Sequence, residues 1–305
     1  MDKSAISIDL YIPLPHFAIL KYMFMRFLPA CFVLFNILLS YSSRAQEMSC
    51  CSPSATESFA RLAMDKPFVM GHNEPRPFHY HSDNGKAIVF KAADGSDAYA
   101  WEIRAKAKTS NYLFVIHEWW GLNDYIKQES ETLWNDLGNV NVIAIDLYDK
   151  KVAASREDAV KYVQAVTTDR AQAIIKGAIA YAGPSAKIFT IGWCFGGGWS
   201  LQASLMAGTQ AAGCVMYYGM PEKDVEKLKS LHTDVLGVFG NKDQGITPKV
   251  VDEFAENMNK AGKKLILKRY DAVHAFANPS NPGYDKAAKE DAYKATIAFI
   301  KERLK

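Results

Sequence analysis

A thiol, a carboxylate and an imidazole occur in this chain in an order that nucleophilic acyl transfer could use. Cys194 lies in Gly192-Trp193-Cys194-Phe195-Gly196-Gly197, directly after the apolar run "AKIFTIG" (186–192). This is the elbow pattern G-x-S-x-G with sulfur in place of oxygen. Small neighbours let a strand and a helix approach closely at such a turn. The next backbone N–H, from Phe195, would then face a developing oxyanion at a helix N-terminus. A cysteine packed into a glycine-rich segment carries the same local pattern, because a free thiol behaves as a small hydrophobe. Asp243 and His274 tilt the balance toward the nucleophile. Asp243 follows "DVLGVFG" and His274 follows "KLILKRY", each just past an apolar run, in the chain order nucleophile, acid, base. The turn-rich "GNKDQG" also suits Asp243 to an Asx turn, and His274 alone would read as a surface histidine.

In the catalytic reading Cys194 attacks a carbonyl as thiolate, His274 holds the proton and Asp243 orients the imidazole. The imidazole and the helix N-terminus are both expected to favour the anion. A thiolate is also a good leaving group, so small activated esters and lactones suit it better than amides. No cofactor is needed.

Other polar residues stand at further strand ends. Glu118 opens the loop "HEWWGLND" (117–124), where a second oxyanion donor would lie, and Trp119 and Trp120 beside it could wall a pocket. Glu118 would otherwise be an ordinary loop carboxylate. Asp146 ends "VNVIAID" and suits a capping or turning role. His72, His79 and His81 lie close in sequence, but no cysteine or carboxylate spacing supports a metal site there. "GWCFGGG" lacks the Lys-Ser/Thr of a phosphate loop and the glycine spacing of a dinucleotide loop.

These positions need a scaffold that gathers strand ends. Apolar runs at 112–117, 140–148, 186–192, 212–219, 234–240 and 264–270 read as strands, the first of them continuously apolar, as for a strand buried on both faces. Helical patterns at 124–138, 156–181, 196–207, 248–261 and 285–304 alternate with them. Runs 86–92 and 98–105 flank the turn signal "ADGSD" and read as an antiparallel pair. The pattern predicts an α/β fold, a mostly parallel central sheet with helices on both faces and ligands at the carboxyl ends of the strands. Residues 46–80, with four prolines, read as an extended lead-in apart from a short helix at 55–64.

The composition fits one globular domain: 305 residues, 49% hydrophobic and 23% charged. Residues 1–45 look foreign to it. "FLPACFVLFNILL" (27–39), with Arg26 before it and small residues Ser43 and Ala45 after it, reads as a secretory leader cleaved after Ala45. The run is shorter than the about 20 residues of a membrane span, so no stable membrane insertion is expected after cleavage. The long stretch before Arg26 points to a true start at Met23 or Met25. The expected destination is the periplasm or the medium. The whole chain carries a net charge of +3 with no clustered basic surface in the sequence, which argues against nucleic acid. Outside the leader the cysteines are Cys50, Cys51, Cys194 and Cys214, too few for a disulfide scaffold.

Taken together, "VIHEWWGLND", "AIDLY", "IGWCFGGG", "GNKD" and "HAFANPSNPGYDKAAKEDAYKATIAFI" resemble the dienelactone hydrolase family of α/β-hydrolases over roughly residues 85–304. The resemblance implies an α/β-hydrolase domain over 81–305 and an ester or lactone hydrolase. It implies Cys194 as nucleophile, Asp243 as acid and His274 as base. Glu118 matches a glutamate that contacts the resting thiol and helps activate it. The backbone N–H groups of Phe195 and Trp119 match the oxyanion hole, and Trp120, Tyr148, Tyr218 and Phe276 are assigned to the substrate pocket. The family's two substrate-binding arginines have no counterpart in "DLYDKKVA" or "HAFANPS", where Lys150 or Lys151 could substitute only in charge. Two rival readings are a non-catalytic binding protein and a redox-active thiol protein in which Cys50 or Cys51 resolves an oxidised Cys194.

Overall fold

A computed structural model describes residues 54–304. The expected leader, Met23, Met25, Cys50 and Cys51 lie outside the described residues. All eight expected strands form: β1 (Gly85–Lys91), β2 (Asp97–Ile103), β3 (Asn111–Ile116), β4 (Asn141–Asp146), β5 (Lys187–Trp193), β6 (Ala211–Tyr217), β7 (Val235–Gly240) and β8 (Leu265–Tyr270). They make one sheet in the order β1-β2-β4-β3-β5-β6-β7-β8. The first two strands pair antiparallel, as their shared turn predicts, and β2 runs antiparallel to β4. The other six strands are parallel to one another. In the central strands both faces are covered: Leu113, Phe114, Val115 and Ile116 of β3 are fully buried. Each such side chain stabilises the fold by about 1.5–3 kcal/mol. The edges differ, for β1 is largely exposed and β8 half-buried throughout.

The helices are α1 (Ala55–Leu62), α2 (Lys66–Met70), α3 (Asp124–Leu137), α4 (Arg156–Ala165), α5 (Thr168–Ala182), α6 (Phe195–Ala207), α7 (Val225–Lys229), α8 (Pro248–Lys260) and α9 (Lys286–Arg303). Their starts follow local chemistry. Asn123 caps α3 by accepting from the Ile126 N–H, and Ser155, Thr167 and Asp285 cap α4, α5 and α9 in the same way. Helix α6 has no such cap, since its N-cap is Cys194.

The segment expected to be an extended lead-in is more structured than that. Ser54 and Glu57 form a reciprocal capping box for α1, and Pro67 opens α2 near its first turn. These two short helices are held by core contacts: Phe59 and Phe68 are buried, and their rings meet edge-on at 5.9 Å. Helix α1 falls on the short helix expected over 55–64, whereas α2 forms where an extended chain was expected, its place fixed by hydrophobic burial. Beyond Gly71 the segment is extended as far as β1.

Candidate active site

The fold brings the strand-end residues together at the carboxyl edge of the sheet. At the end of β5 the backbone turns through Cys194 with φ +57° and ψ −118°, and α6 starts at the next residue. A non-glycine residue in this region is strained by about 1–3 kcal/mol and persists only where its surroundings enforce it. Here the glycines allow it. A Cβ on Gly192 would collide with the Gly196 carbonyl, and one on Gly196 would collide with the carbonyls of Ile116 and His117. Strand, helix and the neighbouring loop are thus packed backbone to backbone. Tyr218 and Ala275, beside the same site, also have positive φ.

His274 Nδ1 is bonded to Asp243 Oδ2 at 2.6 Å. The other oxygen of Asp243 accepts from the N–H groups of Gly245 (2.8 Å) and Ile246 (2.9 Å). Asp243 therefore does act in the turn that its sequence suggested, and holds His274 as well. Burial would raise its carboxyl, but His274 and the two amides outweigh burial and hold it below the ordinary value.

Cys194 is buried, and its sulfur faces the backbone amides of Phe195 and Trp119, which favour the thiolate. Burial, followed by the charges of Glu118 and Asp243, opposes them and pushes the thiol well above its usual value. The expected depression by imidazole and helix N-terminus is therefore overridden in this resting arrangement. His274 Nε2 has no hydrogen-bond partner among the described residues.

Glu118 is buried and accepts a hydrogen bond from Asn278 Nδ2 at 2.6 Å. Burial raises its carboxyl to about 7, against the opposing pull of His274 and the polar groups of Asn278 and Tyr218. Its position is set by His117, which sequence reasoning passed over. The His117 ring is fully buried; Nδ1 bonds the Glu118 carbonyl at 2.6 Å and Nε2 accepts from the Leu147 N–H at 3.1 Å. His117 thereby ties the ends of β3 and β4 together. Asp146 stays structural, accepting from the N–H groups of Tyr148 (2.8 Å) and Lys150 (2.6 Å).

A cleft of about 800 Å³, open to solvent, lies against Glu118. Of the residues assigned to a substrate pocket, Trp120 and Tyr218 line it, whereas Tyr148 and Phe276 do not. Tyr148 is buried behind the elbow against Phe195 and His117, and Phe276 lies in the core against Tyr218 and Tyr270. Trp193, Tyr217, Tyr293 and Lys289 line the cleft without having been foreseen. Tyr293 and Lys289 come from α9, and helical residues give no strand-end signal. The lysines offered in place of arginines lie on aromatic faces, Lys150 over Tyr99 and Lys151 over Tyr162.

The N-terminal helices close over the elbow. Phe59 packs on Phe195, and Phe68 meets both Trp119 and His274. His72, just beyond α2, is buried between Trp119 (4.8 Å between ring centroids) and His274 (5.3 Å). Burial holds the His72 imidazole near 3 and hence neutral. His79 and His81 stay exposed beside Asp124 and Asp83.

A mostly parallel eight-stranded sheet, helices at both faces and a strained residue between β5 and the next helix define an α/β-hydrolase fold. Solved structures agree in fold: a putative dienelactone hydrolase from Klebsiella pneumoniae superposes with a TM-score of 0.60 at 20% identity, covering 70% of this chain and 98% of that one. A dienelactone hydrolase-like promiscuous phosphotriesterase from metagenomic libraries superposes with a TM-score of 0.61 at 22% identity, covering 72% and 99%. The sequence pattern of the dienelactone hydrolase family matches residues 97–304, and the chain belongs to that family. A putative carboxymethylenebutenolidase from Saccharolobus solfataricus is 27% identical over 262 residues, 73% of this chain and 96% of that protein. The protein is a hydrolase of the ester and lactone class.

Proposed function

We propose that the protein hydrolyses small neutral esters or lactones through Cys194, His274 and Asp243. The observation that carries the proposal is the elbow itself: a buried thiol at positive φ, with two backbone amides at its sulfur and the paired His274–Asp243 close by. Cys194 attacks the substrate carbonyl, and its proton passes to His274. The amides of Phe195 and Trp119 stabilise the oxyanion. Collapse of the tetrahedral intermediate forms a thioester and releases the alcohol, which takes the proton back from His274. Water, deprotonated by His274, then hydrolyses the thioester and restores the thiol.

The resting thiol is neutral, so activation has to accompany substrate binding. Glu118 suits that step. Its negative charge disfavours the thiolate, and proton uptake near neutrality removes the charge. The cleft favours neutral substrates. Trp120, Trp193, Tyr217 and Tyr218 give it aromatic walls, while the carboxylates of Glu118 and Glu129 face it beside the single lysine Lys289. We further propose that residues 1–45 are an export leader cleaved after Ala45. N-terminal mass measurement of the exported protein tests this, and retention of residues 1–45 would refute it.

Aryl-ester turnover tests the mechanism. It is expected to vanish in Cys194→Ala and His274→Ala and to persist in a chain with both Cys50 and Cys51 changed to serine. Undiminished turnover in Cys194→Ala would overturn the proposal.

A further inference from the structure

Among the described residues, one cluster holds three potential metal ligands that no step of hydrolysis requires together. The ligand atoms of His72, Cys194 and His274 lie within 4.8 Å of one another, and all three residues are buried. Two come from the elbow and the loop after β8, and the third from the N-terminal segment. We propose that these three side chains bind a borderline-soft divalent ion of the Zn2+ type.

The strongest support is what the imidazoles do with their other nitrogens. A metal-bound histidine usually donates its remote N–H to a carbonyl or carboxylate, which fixes the tautomer and the ring orientation. His72 Nδ1 is bonded to the Phe68 carbonyl at 2.8 Å, and His274 Nδ1 to the Asp243 carboxylate at 2.6 Å. Both rings therefore turn Nε2 lone pairs inward. Both Nε2 atoms are buried without a hydrogen-bond partner among the described residues, on side chains more than nine-tenths buried. A buried nitrogen without a partner destabilises the fold, and ion binding would satisfy both at once.

The ligand set fits the ion class. One thiolate and two imidazoles suit Zn2+, with metal–sulfur and metal–nitrogen bonds of about 2.3 and 2.0–2.1 Å. Tetrahedral bonding of that length puts ligands about 3.5 Å apart, so the cluster needs to contract by about 1 Å. A fourth position remains for water. Binding converts the thiol to thiolate, forms the metal–sulfur bond and releases the proton to solvent. The aromatic cleft lies next to the cluster, since its wall residue Tyr218 packs edge-on against the His274 ring, 5.1 Å between centroids. The bound ion would occupy both the thiol and the imidazole. Inhibition of hydrolysis follows only if Cys194 and His274 act as proposed above; the binding itself does not depend on that reading.

The test uses Co2+ and Zn2+ on the full chain with Cys50 and Cys51 changed to serine, under argon. One Co2+ per chain is expected, with a near-ultraviolet thiolate-to-cobalt band and the visible bands of a tetrahedral site, displaced by Zn2+. Cys194→Ser should abolish the near-ultraviolet band. His72→Asn should weaken Co2+ binding by at least about tenfold; should its thermal unfolding show that it does not fold, His72→Gln takes its place. Zn2+ inhibition of ester turnover should weaken in parallel, measured against each variant's own metal-free rate. No thiolate band at saturating Co2+, or an unchanged Kd in the folded His72 variant, would overturn the site. Full cobalt binding with undiminished turnover would uphold it and remove Cys194 from the reaction.

Discussion

Two buried histidines approach Cys194, and they reach it by different routes. His274 arrives from the loop after β8, as part of the strand-end arrangement that the whole sheet builds, and its ring is held by Asp243. His72 arrives from a short segment before the first strand. It is held by the Phe68 carbonyl and by packing on Trp119. The first route is a property of the fold. The second lies outside the family match, which begins at residue 97. Burial of aromatic side chains suffices to bring His72 within reach of the thiol.

The largest expected effects lie on the strand-end route. Cys194→Ala and His274→Ala should each lower aryl-ester turnover by about a thousandfold or more, as loss of one member of a cooperating triad does. A drop of less than tenfold for either would mean that the strand-end arrangement is not the reacting one. The N-terminal route is tested by Phe59→Ala. Phe59 is buried against Phe68 and Phe195, so its truncation should cost about 3–5 kcal/mol in urea unfolding. A cost under about 1 kcal/mol would show that the N-terminal helices are no part of the core.

Smaller effects sharpen how the routes meet at the thiol. Glu118→Gln removes a negative charge that raises the Cys194 thiol. Iodoacetamide at pH 8 should alkylate Cys194 about three- to tenfold faster in this variant, since one pKa unit changes the thiolate fraction about tenfold. An unchanged rate would dissociate the two groups. The same variant has a thermodynamic signature. Glu118 is raised from 4.5 to about 7 on folding, so its protonated form is the one the fold favours. That contribution is full below about pH 4.5 and is lost as pH rises through about 7. Stability of the parent should decline across this window relative to Glu118→Gln, and parallel curves would count against the raised value. The smallest expected effect is at Lys289. Lys289→Met should change KM for a neutral aryl ester less than about fivefold, because a half-exposed charge contributes at most about 1 kcal/mol. A much larger change would point to an anionic substrate.

Several parts of this molecule could be read without coordinates. The alternation of apolar runs and helical patterns predicts all eight strands and places Cys194, Asp243 and His274 at their ends. It does so because a strand buried on both faces must be continuously apolar, and because parallel strands all deliver their carboxyl ends to one edge. The glycines around Cys194 were legible for a related reason: only backbone-to-backbone packing excludes every side chain there. The helices α2 and α7, five residues each, were not legible, being too short to show a period. His117 was missed because a lone histidine in a sequence carries no sign of what it faces, and His72 was grouped with His79 and His81, its neighbours in sequence, when its neighbours in space are Trp119 and His274.

Fold class, the elbow at Cys194 and the order of Cys194, Asp243 and His274 at successive strand ends were readable from the chain alone, since these depend on local pattern and chain order. The ionisation of the thiol, the makeup of the cleft and the place of His72 beside Cys194 required the packed chain. Those depend on burial and on contacts between segments far apart in the chain. Burial pushes Cys194 up where local reasoning from an imidazole and a helix N-terminus pointed down. Tyr148 and Phe276 turn into the core while Trp193 and Tyr293 turn to the cleft, and Phe68 carries His72 to Cys194 across a sequence gap that no pattern could bridge.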